Sequence, residues 1–357
     1  MKQQRFGILL IEKLLFLTFA FSGFSAYAQT AEKETLEQGE PLQPSSREVG
    51  TMLSGYNSPA RIDVHGPLDF SLTGSFLYWQ SKLEGLDLGN YSYTTPPQAD
   101  GHVLEGNFDF NPGFKVAFAL HSTFDNWSLY GEFTWVRANN KTHYTLPSNV
   151  NPIAIWNSSS PLAFHHVHSR WIHQNNIVDI DLGRAYYVGK NLTFFPFIGT
   201  RGYWIDQKFG VKYFVSSTSS AASFSSQDSW AAGARLGVQT FWLLGKGLRV
   251  EGNAAGSLVY QKFHTKFRDW DIATQILDRL KRSSSQITPN LEGALGMGWG
   301  SYFSRKEWHL DLLALCEFHC FWKQNSMRSL LDQFITRAAG PIDLTYQGLT
   351  LTIRLDF

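Results

Sequence analysis

The sequence has little charge, almost no cysteine and no long apolar run beyond its N-terminus. Charged residues make up 17% of the chain, against about a quarter in typical soluble domains. A net charge of +1 gives no basic excess for nucleic-acid binding, and two cysteines cannot staple 357 residues. Without a run of about 18 apolar residues past the N-terminus, we expect no transmembrane helix there.

Aromatic residues, in contrast, are abundant. The chain has 28 Phe, 14 Tyr and 12 Trp, which together are 15% of its residues. This content excludes a disordered chain and suits a membrane, although the mean hydropathy of −0.20 is mildly hydrophilic. A transmembrane β-barrel has both properties, because each strand shows one face to lipid and the other to water.

The first residues resemble an export signal. Lys2 and Arg5 precede an apolar stretch centred on 14–20, and Ala26-Tyr27-Ala28 is a small-x-small cleavage site. We therefore predict a cleaved signal peptide over 1–28. Residues 29–67 are polar and acidic, which predicts a periplasmic N-terminal extension.

Hydrophobicity then alternates with a period of two, the pattern of β-strands. Between Trp308 and Trp322, every second residue from Trp308 is apolar, and the set between includes His309, Asp311 and Glu317. Ten segments alternate in this way: 69–81, 112–122, 127–138, 175–188, 192–208, 228–243, 247–264, 286–302, 307–322 and 344–357.

The connections between these segments alternate strictly in length. Four are tight, at 123–126, 189–191, 244–246 and 303–306; five are long, at 82–111, 139–174, 209–227, 265–285 and 323–343. A soluble β-sandwich gives no reason for this sorting, whereas outer-membrane barrels have short periplasmic turns and long extracellular loops.

We therefore predict an all-β fold over 68–357, a transmembrane antiparallel β-barrel of about 10 strands. Twelve strands are the alternative, if 102–110 or part of another long loop also pairs. Within the fourth long loop, Asp271 to Lys281 has apolar residues at helical spacing, which predicts a short surface helix.

The outward face is predicted to be apolar, as at Phe114, Val116 and Phe118. Tryptophans cluster near both ends of the strands, which is typical of the aromatic girdles at membrane–water interfaces. The predicted girdle residues are Trp127, Trp242, Trp299 and Trp308 beside the short turns, and Trp135, Trp204, Trp230 and Trp322 toward the long loops.

The opposite face carries charges of both signs. The predicted lumen-lining residues are Lys115, Glu132, Asp179, Asp181, Arg201, Arg235, Arg249, Glu251, Glu292, Asp311, Glu317 and Arg354. Buried charges must pair, so a small barrel is compatible with a lumen filled by salt bridges. It is equally compatible with a narrow charged pore, since ten strands exceed the eight whose interior side chains fill.

The chain ends on an alternating strand. This segment resembles the terminal strand that the barrel-assembly machinery recognises, and its predicted signal residues are Leu349, Leu351, Ile353, Leu355 and Phe357.

Two other groups carry no predicted chemistry. Cys316 and Cys320 lie four residues apart on one strand, about 13 Å, so both face lipid and cannot form a disulfide. His165, His166 and His168, with His173 nearby, include no carboxylate or cysteine to complete a metal site, so we predict solvated loop histidines and no bound metal.

An enzyme is the least favoured class. Asp179 with Asp181, and His309 with Asp311, share strand faces and have the chemistry for acid–base catalysis. However, His309 lies near a short turn, away from the loop rim, and the sequence has no nucleophile elbow or phosphate loop. We expect no catalytic activity and no cofactor.

Several short motifs, in order along the chain, resemble the Legionella-type major outer-membrane protein family, also found as pore-forming proteins of amoeba-associated chlamydiae. They are ARIDV at 60–64, FLYWQ at 76–80, NPGFKV at 111–116, WSLY at 127–130 with Trp135, DLGRAYYV at 181–188, WIDQ at 204–207 and LTL at 349–351 with Phe357. The resemblance implies an outer-membrane barrel with porin-like activity and no catalytic residues. Phe195 and Phe197 depart from it and argue against a wide aqueous lumen.

The expected function is passive diffusion of small solutes across the bacterial outer membrane. The alternative is a structural or adhesive barrel with a filled lumen, whose long loops contact host or envelope partners. Expected partners are outer-membrane lipid, the barrel-assembly machinery and small solutes, with no nucleic acid.

Overall fold

Ten long antiparallel strands follow one another around a closed wall in the computed structural model. It describes residues 68–93, 101–122, 126–157, 162–188, 191–216, 219–271, 277–303, 307–334 and 342–357. The strands are Leu68–Leu83 (β1), Gly89–Ser92 (β2), Gly101–Leu104 (β3), Phe110–Ser122 (β4), Trp127–Thr145 (β5), Asn151–Ala154 (β6), His166–Arg184 (β7), Tyr186–Val188 (β8), Leu192–Phe214 (β9), Ser220–Gly245 (β10), Leu248–Asp271 (β11), Leu277–Phe303 (β12), Trp308–Phe321 (β13) and Leu344–Asp356 (β14), and one helix spans Ser326–Phe334 (α1).

The wall closes because β1 pairs with β4 on one side and with the last strand, β14, on the other. The order continues through β5, β7, β9, β10, β11, β12 and β13, each antiparallel to the next. The short β8 also pairs with β9, continuing past the end of β7. A closed ten-strand barrel is thus confirmed.

The twelve-strand alternative is wrong for the described residues. β3 does not join the wall but pairs with β2, which also pairs with β6, in a separate three-stranded sheet. Among the described residues, no helix is both long and apolar enough to cross a membrane. The predicted signal peptide, 1–28, and N-terminal extension, 29–67, lie outside the described residues.

The strands extend into regions predicted as loops. β5 continues to Thr145, β10 begins at Ser220 and β12 begins at Leu277. The predicted helix over 271–281 is therefore wrong for the described residues, and 272–276 lie outside them. Asp271 belongs to β11, and residues 277–281 pair with β11, whose backbone hydrogen bonds outweigh a local helical spacing. The helix α1 lies instead in the region predicted as the fifth long loop.

The pleat sorts side chains to the two faces. On β1, Phe76 and Tyr78 point outward and are about half exposed, while Leu77 and Trp79 point inward and are fully buried. Outward positions carry the exposed apolar residues, as at Phe114, which suits contact with lipid.

The core lies inside the loop-side half of the barrel. Residues of the wall, of the three-stranded sheet and of α1 meet there as one apolar cluster, including Leu77, Leu88, Trp156, Tyr213 and Leu331, all fully buried. We call the three-stranded sheet and α1, with the segments next to them, the cap.

Because the inward face is packed, replacing an inward leucine of a strand should destabilise the barrel more than replacing an outward one. We expect Leu77→Ala to lower the free energy of unfolding by about 2–5 kcal/mol, because it leaves a cavity in the cap core. The outward Leu72→Ala should cost clearly less. Denaturant titration in detergent measures both, and equal losses would contradict the assignment of faces.

Candidate functional site

The candidate site is the inner wall, where the pleat aims all twelve of the predicted charged residues. They come from nine of the ten wall strands and form three contacting groups, with Arg354 set apart. None of the twelve is exposed.

The first group lies at mid-barrel around two arginines. Arg201 donates from Nε to Asp179 Oδ1 at 2.7 Å and from Nη2 to Glu292 Oε2, also at 2.7 Å. Arg235 donates to both Asp181 and Glu292. Glu292 thus joins the two guanidinium groups across the lumen.

The aromatic ring of Phe197 packs against this group. The Arg235 guanidinium lies 4.8 Å from the centre of the Phe197 ring, a cation–π contact. A Cβ at Gly237 would come within 2.5 Å of the Phe197 ring, so only glycine leaves room for this ring here. The apolar Phe197 therefore narrows the lumen and positions a charge.

The second group surrounds Lys115. Its Nζ lies 2.8 Å from Glu317 Oε2, 3.7 Å from Glu132 Oε1 and 5.1 Å from the centre of a Trp79 ring. The ring nitrogens of His319 lie 2.9 Å from Glu317 and 3.3 Å from Glu292. His319, absent from the predicted set, therefore connects the first two groups.

The third group lies closer to the short turns. Arg249 donates from Nη1 to Asp311 Oδ1 at 2.6 Å and from Nη2 to Glu251 Oε2 at 3.1 Å. Arg354 is separate from it, and donates from Nε to Asp356 Oδ1 at 2.7 Å. Asp356, which also lies 2.7 Å from His309 Nδ1, was missed, although it shares the inward period-two face with Arg354.

Two cavities adjoin these groups. The larger, about 690 Å³, lies at the short-turn end and we call it the vestibule. The smaller, about 140 Å³, lies among the charges, and Asp181 and Arg249 line both. Asp181 Oδ1 and Thr193 Oγ1, in the vestibule wall, accept or donate no hydrogen bond within the described part of the chain, as expected where water supplies the partner.

The loop side of the charges is closed by a layer of buried amides. Gln324, which precedes α1, exchanges two hydrogen bonds with Gln261 of β11, at 2.8 and 2.9 Å. Gln227 of β10 donates to the Gln324 carbonyl and accepts from the Ser326 backbone N–H, both at 2.8 Å. Sequence reasoning missed this layer, because Gln324 lies outside any alternating segment.

Beyond the amides, aromatic side chains fill the lumen. The indole N–H of Trp156 donates to the Asp87 carbonyl at 2.9 Å, and the backbone N–H of Trp156 donates to the Tyr213 hydroxyl at 3.3 Å. The rings of Tyr203 and Phe321 also pack edge to face inside the wall, with their centres 5.3 Å apart. In this conformation the described side chains fill the loop end of the lumen, and the vestibule lies at its short-turn end.

The predicted girdle and terminal-strand residues lie mainly on the outer wall. Trp127, Trp204, Trp230, Trp242, Trp299 and Trp308 are exposed, while Trp135 and Trp322 are partly buried. Trp322 lies just after β13 ends. Leu349, Leu351, Ile353, Leu355 and Phe357 are all exposed on the outer face, and the backbone of Phe357 exchanges two 2.9 Å hydrogen bonds with Phe70.

The cysteines are both free. Cys316 is exposed, but Cys320 is buried, so the expectation that both face lipid is wrong for Cys320.

The histidine segment does not converge. The ring of His168 contacts that of His143 at 4.0 Å, whereas His173 is buried and bonds to the Tyr346 hydroxyl at 2.5 Å. Within the described ranges no three ligand side chains are placed to hold a metal ion.

Comparison with known proteins identifies the sequence family. The family model of the Legionella pneumophila major outer membrane protein precursor matches residues 67–357. A search of curated proteins finds no match.

Solved outer-membrane barrels show only distant similarity. A major outer membrane protein from Thermus thermophilus has 12% identity and a TM-score of 0.34, covering 81% of this chain and 99% of its own. The outer membrane protease OmpT from Escherichia coli has 9% identity and a TM-score of 0.38, covering 84% and 99%. A Pseudomonas aeruginosa FadL homologue has 7% identity and a TM-score of 0.27, covering 82% and 90%. These TM-scores are too low to inform function.

The charged groups predict a strong dependence on Arg235. Arg235→Ala leaves Asp181 and Glu292 short of a partner in a buried site, so we expect the free energy of unfolding to fall by about 3–5 kcal/mol. The exposed Arg137→Ala, on the outer wall, should change it by less than about 0.5 kcal/mol. Denaturant titration in detergent compares them, and a neutral Arg235→Ala would show that the pairs are not formed.

Proposed function

Because the chain belongs to the family of the Legionella pneumophila major outer membrane protein, we propose that it is a porin-like barrel for passive diffusion of small solutes, cations above all. The observation that carries this proposal is the vestibule, which shares Asp181 and Arg249 with a smaller cavity among the charged residues of the inner wall. Polar, charge-lined lumens are the means by which barrels select what passes.

The preference for cations follows from the balance of charge. The twelve charged lumen residues comprise seven carboxylates and five Lys or Arg side chains. An excess of one sign in a low-dielectric passage concentrates counter-ions of the opposite sign. The carboxylates face the path that a solute takes from the vestibule into the smaller cavity.

The first barrier on this path is the Arg235 group. Arg235 Nε lies 3.9 Å from Asp179 Oδ2, while its Nη atoms already bind Asp181 and Glu292. The guanidinium thus has a third carboxylate beside it. A shift of Arg235 from Asp181 toward Asp179 would widen the path while the guanidinium stays paired, and Asp181 would then face the water of the vestibule.

The second barrier is the cap. Gln261 and Gln324 connect wall and cap through neutral hydrogen bonds, and α1 packs against β10 and β11. Full passage therefore requires the cap to move, and we propose that the described conformation is the closed state of the pore.

A second candidate function is a structural or adhesive barrel that never conducts. The observation that favours it is the fully buried apolar core formed by the wall and the cap together, which includes Trp156, Tyr213 and Leu331. In that case the salt bridges and the cap serve stability, and the loops contact a partner.

We also propose that the barrel is not an enzyme. Asp181 is held by Arg235, and the Nε2 side of the His309 ring faces the backbone of Gly300, where a Cβ would come within 2.7 Å. The other ring nitrogen, Nδ1, is also occupied, since it lies 2.7 Å from Asp356 Oδ2. Hydrolysis of peptide or ester substrates by wild type, abolished in His309→Gln, would refute this.

A reversible cross-link tests whether the pore opens through the cap. Thr265 Oγ1 donates to Ser326 Oγ at 3.0 Å, so Thr265→Cys/Ser326→Cys, in a Cys316→Ala/Cys320→Ala background, places a disulfide between β11 and α1. In planar bilayers we expect discrete conductance steps from the reduced protein and their loss on oxidation.

The reduced form of the same protein is the matched control. Equal conductance in both states would place the path elsewhere, and silence of wild type at high protein density would favour the structural barrel.

The selectivity is tested by removing one carboxylate. Under a salt gradient we expect a reversal potential with the sign of cation preference, and a smaller one in Glu251→Gln because one lumen carboxylate is gone. The variant should fold, since Arg249 keeps Asp311 as its partner. Asp228→Asn removes the same charge from the exposed outer wall and should leave the reversal potential unchanged. An anion-selective wild type would contradict the assignment.

A further inference from the structure

One side of the outer wall is strongly basic on the loop side of the aromatic belt. The exposed or half-exposed basic residues at outward positions there are Arg137, Lys141, Arg170, Lys208, Lys212, Lys262, Lys266, Arg268, Arg279 and Lys281. Among the described outward positions of the same strands, and of β10 between them, carboxylates occur at Asp206 and Asp228, which pair with each other in the β9–β10 register. The surface therefore has a large excess of positive charge.

The excess is densest on β11 and β12, where like charges face each other. Lys266 lies directly opposite Lys281, and Arg268 directly opposite Arg279. Side chains opposite one another in an antiparallel pair have Cβ atoms about 4.5–5.5 Å apart, and like charges at that spacing destabilise the pair. We call these four residues the outer basic patch.

Nothing in the wall requires this arrangement. An exposed strand pair tolerates opposite charges or neutral polar residues at such positions, and either would avoid the repulsion. Four facing cations are favourable only when an anion from outside the wall lies among them.

The height of the patch indicates what that anion is. On β11 the exposed Tyr260 is followed, in the direction of the loops, by Lys262 and then by Lys266 and Arg268. Lys262 lies opposite Trp230, a girdle residue, so the basic run begins at the membrane–water interface. Six residues of strand separate Tyr260 from Lys266, about 20 Å along a tilted strand, so the patch rises well above the hydrocarbon.

We propose that the outer basic patch binds the phosphorylated sugar head group of an outer-leaflet glycolipid. Guanidinium and ammonium groups bind phosphate by charge-assisted hydrogen bonds, and Arg offers a fork that matches two phosphate oxygens. The phosphates of a sugar head group lie above the lipid chains. Their height therefore matches that of the basic side chains, which begin at the interface and continue above it. This binding does not depend on whether the pore conducts.

The test compares the full chain, purified in detergent, with and without lipid A that carries its phosphates. We expect the glycolipid to raise the Tm of wild type, because it neutralises the facing cations. The same lipid after phosphatase treatment should raise it much less. Inorganic phosphate at equal concentration should have no effect, and protection by it equal to that by the lipid would overturn the proposal.

The variant Lys266→Gln/Lys281→Gln removes one facing pair. Its affinity for the glycolipid should fall by about fivefold per lysine, the usual contribution of one cation at an anionic surface. Without glycolipid, its Tm should equal or exceed that of wild type, because a repulsive pair is gone.

A matched control keeps the same change in charge. Lys82→Gln/Lys323→Gln removes two lysines outside the patch, one near the loop end of β1 and one just after β13, and should bind glycolipid like wild type. Heat-modifiable mobility on gels shows that each variant is folded. Equal losses of affinity in both double variants would show a nonspecific effect of net charge and overturn the patch as a site.

Discussion

Every backbone N–H and C=O in a lipid-facing wall needs a hydrogen-bond partner within the protein, because hydrocarbon offers none. In this chain that constraint is met by closing the sheet, β1 against β14. Closure fixes the pleat of all ten wall strands at once, and the pleat decides which side chains meet. The charged groups, the cap core and the basic outer surface are all consequences of it.

Inside the wall, two kinds of polar contact hold two levels of the lumen. The mid-barrel level is ionic, with Arg201 and Arg235 sharing Glu292. The level next to the cap is neutral, with Gln261 and Gln324 bonded to each other. Salt screens buried ion pairs only weakly and leaves amide hydrogen bonds nearly unchanged, so ionic strength has little effect on either level.

The sequence was sufficient for those features that repeat with the pleat. Alternation predicted the ten wall strands and put residues such as Arg235 on one inner face, since period two is a local property. It did not predict which charges meet: Glu292 and Arg201 are joined across the lumen by closure, and no local pattern encodes that contact.

The cap was beyond local reasoning for a related reason. Gln324 and Trp156 lie outside alternating segments, and only the surrounding wall gives them partners. Residues 277–281 show the converse. Their apolar residues have helical spacing, but in the structure they form a strand that pairs with β11. Local propensity therefore fails where a neighbouring strand decides the hydrogen bonds.

The seam between β1 and β14 also has a consequence for biosynthesis. It joins Ser71 to Asp356, so the two strands that close the wall are the first and the last to be made. No closed sheet exists until β14 has been made, and contacts at such separation in sequence form slowly. Until then the outward row of Phe76, Leu351 and their neighbours is exposed to water, which is the kind of apolar surface through which incompletely folded chains aggregate.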